Sequence, residues 1–181
     1  MRIITGSARG TKLETLEGDA TRPTADRVKE AVFNIIQFEV EGRSMLDLFA
    51  GSGQMALEAL SRGAESALLA DSGTDAVNII KSNAKKARLY EKCRVLCSDY
   101  KSVIRGCADR EKFDIIFLDP PYKSGFLQDA LDRIIKADII ADGGLVICES
   151  DSDTPPVCDS LSLDRHAKYG KTYITVFRKG L

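Results

Sequence analysis

From Ser44 to Cys148, short apolar runs alternate with helix-length amphipathic segments, and this alternation restricts the chain more than any other feature. Met45-Leu46-Asp47-Leu48-Phe49 reads as a strand ending in a glycine-rich turn, followed by a helix through Met55-Ala56-Leu57-Glu58-Ala59-Leu60 that stops at Arg62-Gly63. Ala67–Ala70 is the next strand and Ala76–Leu89 the next helix. Arg94–Cys97 and Phe113–Leu118 read as strands, with Tyr100–Cys107 a short helix between them. Gly125–Lys136 is helical, with Phe126, Ala130, Leu131 and Ile134 as its apolar positions, and Gly144–Cys148 is a fifth strand. Ser160–Arg165 and Thr172–Phe177 suggest a closing antiparallel pair. Apolar strands joined through helices require a mostly parallel sheet covered on both faces, and right-handed crossovers make it doubly wound. The expected fold is α/β: a seven-stranded, mostly parallel, Rossmann-like sheet with a final antiparallel pair.

Ahead of this unit lie two short runs, Arg2–Thr5 and Lys12–Leu16, which suggest a small hairpin. Thr21-Arg22-Pro23-Thr24 then leads into a helix over Ala25–Phe38, with Thr24 as its cap and Val28, Val32, Ile35 and Ile36 as its apolar stripe. The expected division is a short N-terminal hairpin and helix, residues 1–43, and a main domain, residues 44–181.

Composition excludes several classes. At 181 residues and 44% hydrophobic, the chain is long enough for one cored domain and too apolar for a disordered one. No apolar run approaches the roughly 18 residues of a membrane span, and MRIITGSARG lacks the apolar centre of a signal peptide. Five cysteines with no C-x-x-C pair and a single histidine, His166, argue against a disulfide scaffold or a zinc site, and point to a reduced, cytoplasmic protein needing no metal. The net charge of −1 offers no global attraction to nucleic acid, so any such binding must use local patches. Basic residues gather at 81–94 and again after Asp164, whereas Glu149, Asp151, Asp153 and Asp159 read as an acidic loop.

The chemistry-bearing residues fall at strand ends. Gly51 and Gly53 follow the first strand, where backbone can approach a ligand at a helix start. No G-K-[ST] follows, so this is not a Walker loop. Asp47 at that strand's carboxyl end would repel a pyrophosphate but suits a cationic amino group. Asp71, ending the second strand, can accept hydrogen bonds from a ribose diol, and Asp99 follows the third. A ligand with an amino-acid end beside an adenosine ribose is S-adenosylmethionine. After the fourth strand comes Asp119-Pro120-Pro121-Tyr122. The Asp119 carboxylate and the Pro120 carbonyl can accept both protons of an exocyclic amine while Tyr122 stacks on its ring, aiming the nitrogen lone pair at a methyl donor.

Asp47-Leu48-Phe49-Ala50-Gly51-Ser52-Gly53 together with Asp119-Pro120-Pro121-Tyr122 resembles the class I S-adenosylmethionine-dependent amino-methyltransferases. Met1-Arg2-Ile3-Ile4-Thr5-Gly6, Thr21-Arg22-Pro23-Thr24, Arg27-Val28-Lys29-Glu30-Ala31, Glu58–Ala64 and Tyr169-Gly170-Lys171-Thr172 extend the likeness along the chain. The whole resembles the RsmD-like bacterial family, which methylates the N2 amine of one guanine in 16S ribosomal RNA. The resemblance implies that Asp47, Gly51 and Gly53 hold the methionine end, Asp71 the ribose and Asp99 the adenine amine. It further implies that Asp119, Pro120 and Tyr122 hold the target guanine. Ala56 stands where the family usually has glycine, and Asp71 where it has glutamate. A partly assembled small subunit would be the substrate of a monomeric enzyme, with Arg2, Arg9, Arg22, Arg27 and Lys168 facing RNA. DNA adenine-N6 methylation, and a non-catalytic RNA- or nucleotide-binding module on the same fold, are the rival expectations.

Overall fold

The computed structural model describes residues 1–16, 23–122 and 124–181. Helix α1 (Pro23–Ile35) precedes β1 (Ser44–Asp47), α2 (Gln54–Ser61), β2 (Ser66–Asp71), α3 (Thr74–Lys86) and β3 (Cys93–Cys97). Then come α4 (Tyr100–Cys107), β4 (Phe113–Leu118), α5 (Phe126–Lys136), β5 (Ile140–Ser150), β6 (Ser162–Tyr169) and β7 (Thr172–Arg178). The strands form one seven-stranded sheet in the order β3-β2-β1-β4-β5-β7-β6. From β3 to β5 every pairing is parallel, and β7 enters antiparallel to both β5 and β6. The expected fold class is therefore the observed one. Strand order reverses at β1, where the parallel sheet grows outward in both directions, and an open α/β sheet leaves its crevice at such a point.

Strand alternation sorts the core into two halves. Met45, Leu69, Ile115, Phe117, Ile147 and Ile174 face the layer of α1, α2 and α3. Their neighbours Leu46, Leu68, Ile116, Leu118, Val146 and Cys148 face α4 and α5. With both faces covered, the central strands are apolar on both sides along most of their length, as a parallel sheet requires, with Asp47 the buried exception at the end of β1. Among the described residues no helix is long and apolar enough to cross a membrane.

The two runs of the opening segment pair antiparallel as a short hairpin: Arg2 and Lys12 form a bridge, and the Ile3, Gly10 and Leu13 N–H groups donate to the Thr11, Ile3 and Met1 carbonyls. The hairpin is clasped by buried polar side chains of α2 and α3. The Glu58 carboxylate, fully buried on α2, accepts the Ile4 and Thr5 backbone N–H groups at 2.7 and 3.0 Å and the Arg62 guanidinium at 2.8 Å. Ser61 Oγ accepts the Ala8 N–H and donates to the Thr5 carbonyl. Gly6 lies so close that a Cβ there would sit 1.8 Å from the Ser61 carbonyl oxygen. Asn83 on α3 donates to the Glu14 and Ser52 carbonyls and accepts the Glu14 N–H. Ile3, Ala8 and Leu13 share the core of α1–α3.

Three local expectations are corrected. Helix α1 starts at Pro23, whose fixed φ suits the first helical position, so Thr24 lies within the helix and does not cap it. Lys29, of a residue type that ordinarily reaches water, is fully buried and donates to the Arg2 carbonyl at 2.6 Å, 3.6 Å from Asp26. Glu149 belongs not to an acidic loop but to β5, which runs on to Ser150.

Because Glu58 neutralises three donors in a dry site, Glu58→Ala should destabilise the fold by about 3–5 kcal/mol. Hydrogen exchange should then show the Ile4 and Thr5 amides losing protection first. Unchanged protection at those amides would refute the clasp.

Candidate active site

The carboxyl ends of β1, β2, β4 and β5 open onto two adjoining cavities, of about 150 and 750 Å³, which share Leu16, Phe49, Gly51 and Asp119. The smaller is lined on the α1–α3 side of the sheet by Asp47, Gln54, Asp119, Glu149 and Thr172, and the opening segment covers it with Met1, Thr15 and Leu16. The larger runs past Asp71, Ser98, Asp99 and Tyr100 to Pro120, Tyr122 and Phe126. The crevice thus gathers Asp47, Gly51, Asp71, Asp99, Asp119, Pro120 and Tyr122, every cofactor and base candidate except Gly53, which stands just behind it as the residue before α2.

Local geometry explains the turn after β1. Gly51 and Gly53 have φ of +54° and +79°, a region costly for residues with a Cβ. At Gly53 a Cβ would also press on Leu69 and Ile80. No side chain caps α2, and its first turn carries no acidic residue, leaving its N–H groups to a ligand or solvent.

Asp47 is the most perturbed carboxyl of the site. Burial, reinforced by the charge of Asp71, pushes it up to about 7 against a single backbone hydrogen bond from Phe49. Its Oδ1 and the Oε1 of Gln54 are buried and find no hydrogen-bond partner among the described residues. Two unsatisfied acceptors in one small cavity fit a ligand that brings several N–H donors, an ammonium above all. Gln54 carried no signal of its own in the sequence, since a glutamine at a helix start ordinarily faces water.

The other acids are anchored. Asp71 Oδ2 accepts the Gly51 N–H at 3.0 Å and Oδ1 the Gly73 N–H at 2.9 Å, holding the glycine turn against the end of β2. Asp99 caps α4, accepting the Lys101 and Ser102 N–H groups through Oδ1 and the Ser102 hydroxyl through Oδ2. These bonds hold its carboxyl below the usual range. Phe49, Tyr100 and Phe126 form a tilted aromatic series at 5.3 and 5.4 Å along the larger cavity. Phe126, at 40% exposure, is a wall of that cavity, and the α5 residues Ala130, Leu131 and Ile134 fill the core. Tyr122 places its hydroxyl 3.4 Å from Glu149 Oε1 and 3.2 Å from Thr172 Oγ1.

Of the expected RNA-facing residues, Arg2, Arg9, Arg27 and Lys168 are exposed, and Arg22 lies outside the described residues. Lys168 rests over the Tyr173 ring. Tyr169 packs against the core, and Arg178 is taken by Glu39 and Asp164. In the 81–94 run, Lys85 lies over the Tyr90 ring and Arg94 pairs with Glu111.

A 3-2-1-4-5-7-6 sheet with a glycine turn after β1 and acids at successive strand ends defines the class I methyltransferase fold. Residues 1–178 match the family described as Conserved hypothetical protein 95, and the chain belongs to that family, the RsmD family of methyltransferases. It is 38% identical to the Bacillus subtilis (strain 168) protein "Putative rRNA methyltransferase YlbH", with 99% of each chain covered. It is 31% identical to "Ribosomal RNA small subunit methyltransferase D" of Escherichia coli (strain K12), over 99% of this chain and 90% of that one. Among solved structures, "Putative methyltransferase yhhF" from Escherichia coli superposes with a TM-score of 0.88 at 31% identity, covering 99% of this chain and 98% of that one.

A carboxyl raised to about 7 in the fold binds its proton more tightly there than in the unfolded chain. Its stabilising contribution is therefore complete below the ordinary carboxylate range, near pH 4, and is lost as pH rises through 7. Asp47→Asn should remove this loss, leaving the ligand-free variant about 2–4 kcal/mol more stable than wild type at pH 8, with little difference at pH 4. Thermal denaturation across that range tests it. A stability difference independent of pH would contradict the assignment.

Proposed function

We propose that the protein transfers a methyl group from S-adenosylmethionine to the N2 amine of a guanine in 16S ribosomal RNA, acting in the cytoplasm on a partly assembled small subunit. The observation that carries this reading is Asp119, which lines both cavities: one holds the orphan acceptors Asp47 and Gln54, the other the aromatic series and Tyr122. When bound, the cofactor supplies an electrophilic sulfonium methyl. Asp47 and Gln54 take its ammonium, the turn at Gly51 and Gly53 lets backbone approach its amino-acid end, and Asp71 accepts from the ribose hydroxyls. Asp99 retains a lone pair for the adenine amine beyond its capping bonds, and Phe49, Tyr100 and Phe126 wall the adenine ring.

The target amine is a weak nucleophile because its lone pair is delocalised into the purine. Asp119 and the Pro120 carbonyl accept its two protons, which favours a pyramidal nitrogen with its lone pair free, and Tyr122 stacks on the ring. As the new N–C bond forms and the sulfonium–methyl bond breaks, leaving a neutral thioether, the nitrogen sheds a proton along the hydrogen bond to Asp119. The opening segment, residues 1–43, serves as the RNA-facing part beside the catalytic residues 44–181. Its residues Met1, Thr15 and Leu16 already line the smaller cavity, and Arg2, Arg9 and Arg27 are exposed on it. The turn before Thr172 brings Lys168 to the same rim, where these cations meet phosphates.

Asp119→Asn tests the amine fork. Asparagine can turn an N–H toward the amine, so methyl transfer from labelled S-adenosylmethionine to small subunits should fall about 10²- to 10⁴-fold while cofactor affinity stays near wild type. Transfer at the wild-type rate would show that the amine is held elsewhere.

A further inference from the structure

We infer that Glu149 is a specificity residue that reads the ring N1–H beside the target amine and thereby selects guanine over every other amine-bearing base. The inference rests on the reading of the site given under Proposed function. Glu149 is the penultimate residue of β5, and β5 is the neighbour of β4, which Asp119 follows. The β4–β5 register ends at Leu118 opposite Cys148, so Asp119 and Glu149 are the next positions on the two strands. Both line the smaller cavity, and Tyr122 bridges them: it stands three residues after Asp119, with its hydroxyl within reach of Glu149. Buried Thr172, on β7, tethers the same hydroxyl from the far side. A base stacked on the Tyr122 ring with its amine at Asp119 therefore turns the adjoining ring position toward Glu149.

The chemistry of that adjoining position separates the bases. In guanine two ring nitrogens flank the exocyclic amine: N1, which carries a proton, and N3, which does not, so a carboxylate beside the amine binds the N1 edge. In adenine and cytosine the corresponding ring nitrogen is a bare acceptor. A carboxylate only accepts. Beside guanine it gains a charge-assisted hydrogen bond, and beside adenine or cytosine it faces a lone pair. Glu149 thus discriminates both by attraction and by repulsion.

The experiment compares target bases within each variant. Wild-type protein first methylates small subunits, and the modified nucleotide is mapped and identified. Subunits are then assembled from ligated RNA carrying either guanine or 2-aminopurine at that position; the analogue keeps the 2-amino group but has an unprotonated N1. Wild type should prefer guanine in kcat/KM by about 10- to 100-fold. Glu149→Gln, whose amide can donate to a bare N1, should reduce that preference at least tenfold when both bases are compared at saturating S-adenosylmethionine. Glu149→Ala should reduce it in the same direction. Intrinsic differences in amine reactivity cancel because the readout is the change in ratio between proteins. A variant slowed equally on both bases would overturn the inference and leave Glu149 as a tether for Tyr122. A wild-type product other than N2-methylguanosine would be seen before any variant is made, and would overturn the underlying reading of the site and this inference with it.

Discussion

Burying the Asp47 carboxyl at the end of β1 costs the protein free energy, because one oxygen lacks a partner among the described residues and the charge of Asp71 is close enough to raise its proton affinity further. The surrounding structure keeps it there. β1 is the central strand, hydrogen-bonded to β2 on one side and β4 on the other, and Asp47 is in register with Leu69 and Phe117. The carboxyl can move toward water only by breaking the sheet. A group so placed becomes favourable when a cation arrives, and the cavity beside it is shaped by the same strand ends that carry Asp71 and Asp119. The electrostatic tension at β1 and the crevice at the topological switch are thus one feature.

The second constraint is the closure of the smaller cavity by the opening segment. That segment pairs with itself only as a short hairpin, and Glu58, Ser61 and Asn83 reaching out of α2 and α3 hold it against the core. Each satisfies backbone groups that an irregular segment packed against the core would otherwise leave unpaired. Asn83 also holds the Ser52 carbonyl, so the glycine turn and the cover above it are fixed by one side chain. Substrate and cofactor would then meet in a site whose roof and floor are mechanically joined.

Much of this was legible in the sequence where a physical pattern was repeated. The period of two in the strands and of 3.6 in the helices located Tyr100–Cys107 and Phe113–Leu118 to the residue. Acids at strand ends pointed to the crevice because in a parallel sheet those ends share an edge. The unreadable parts were those in which a polar residue is buried for a tertiary reason. Lys29, Glu58 and Asn83 occupy helix positions that pattern alone assigns to water, and their backbone partners lie 27 to 69 residues away. The fifth strand is expected only over Gly144–Cys148, yet β5 begins at Ile140, runs on to Ser150 and absorbs an irregularity through a register shift against Phe113 and Ile115. That misreading of where β5 lies also disguised Glu149 as loop. Tyr100 was visible as a helix start but not as a cavity wall, because the aromatic series with Phe49 and Phe126 joins three separate elements.

The central claim is that the buried carboxyl of Asp47 is the anchor for the cofactor's ammonium. In the free protein its raised proton affinity leaves it partly protonated near neutral pH; beside a bound cation it must ionise. Calorimetric titration of S-adenosylmethionine at pH 7 in buffers of different ionisation enthalpy measures the protons exchanged on binding. Wild type should release protons on binding, and Asp47→Asn should lose that release. Binding by wild type with no proton release, or the same release from the variant, would contradict it.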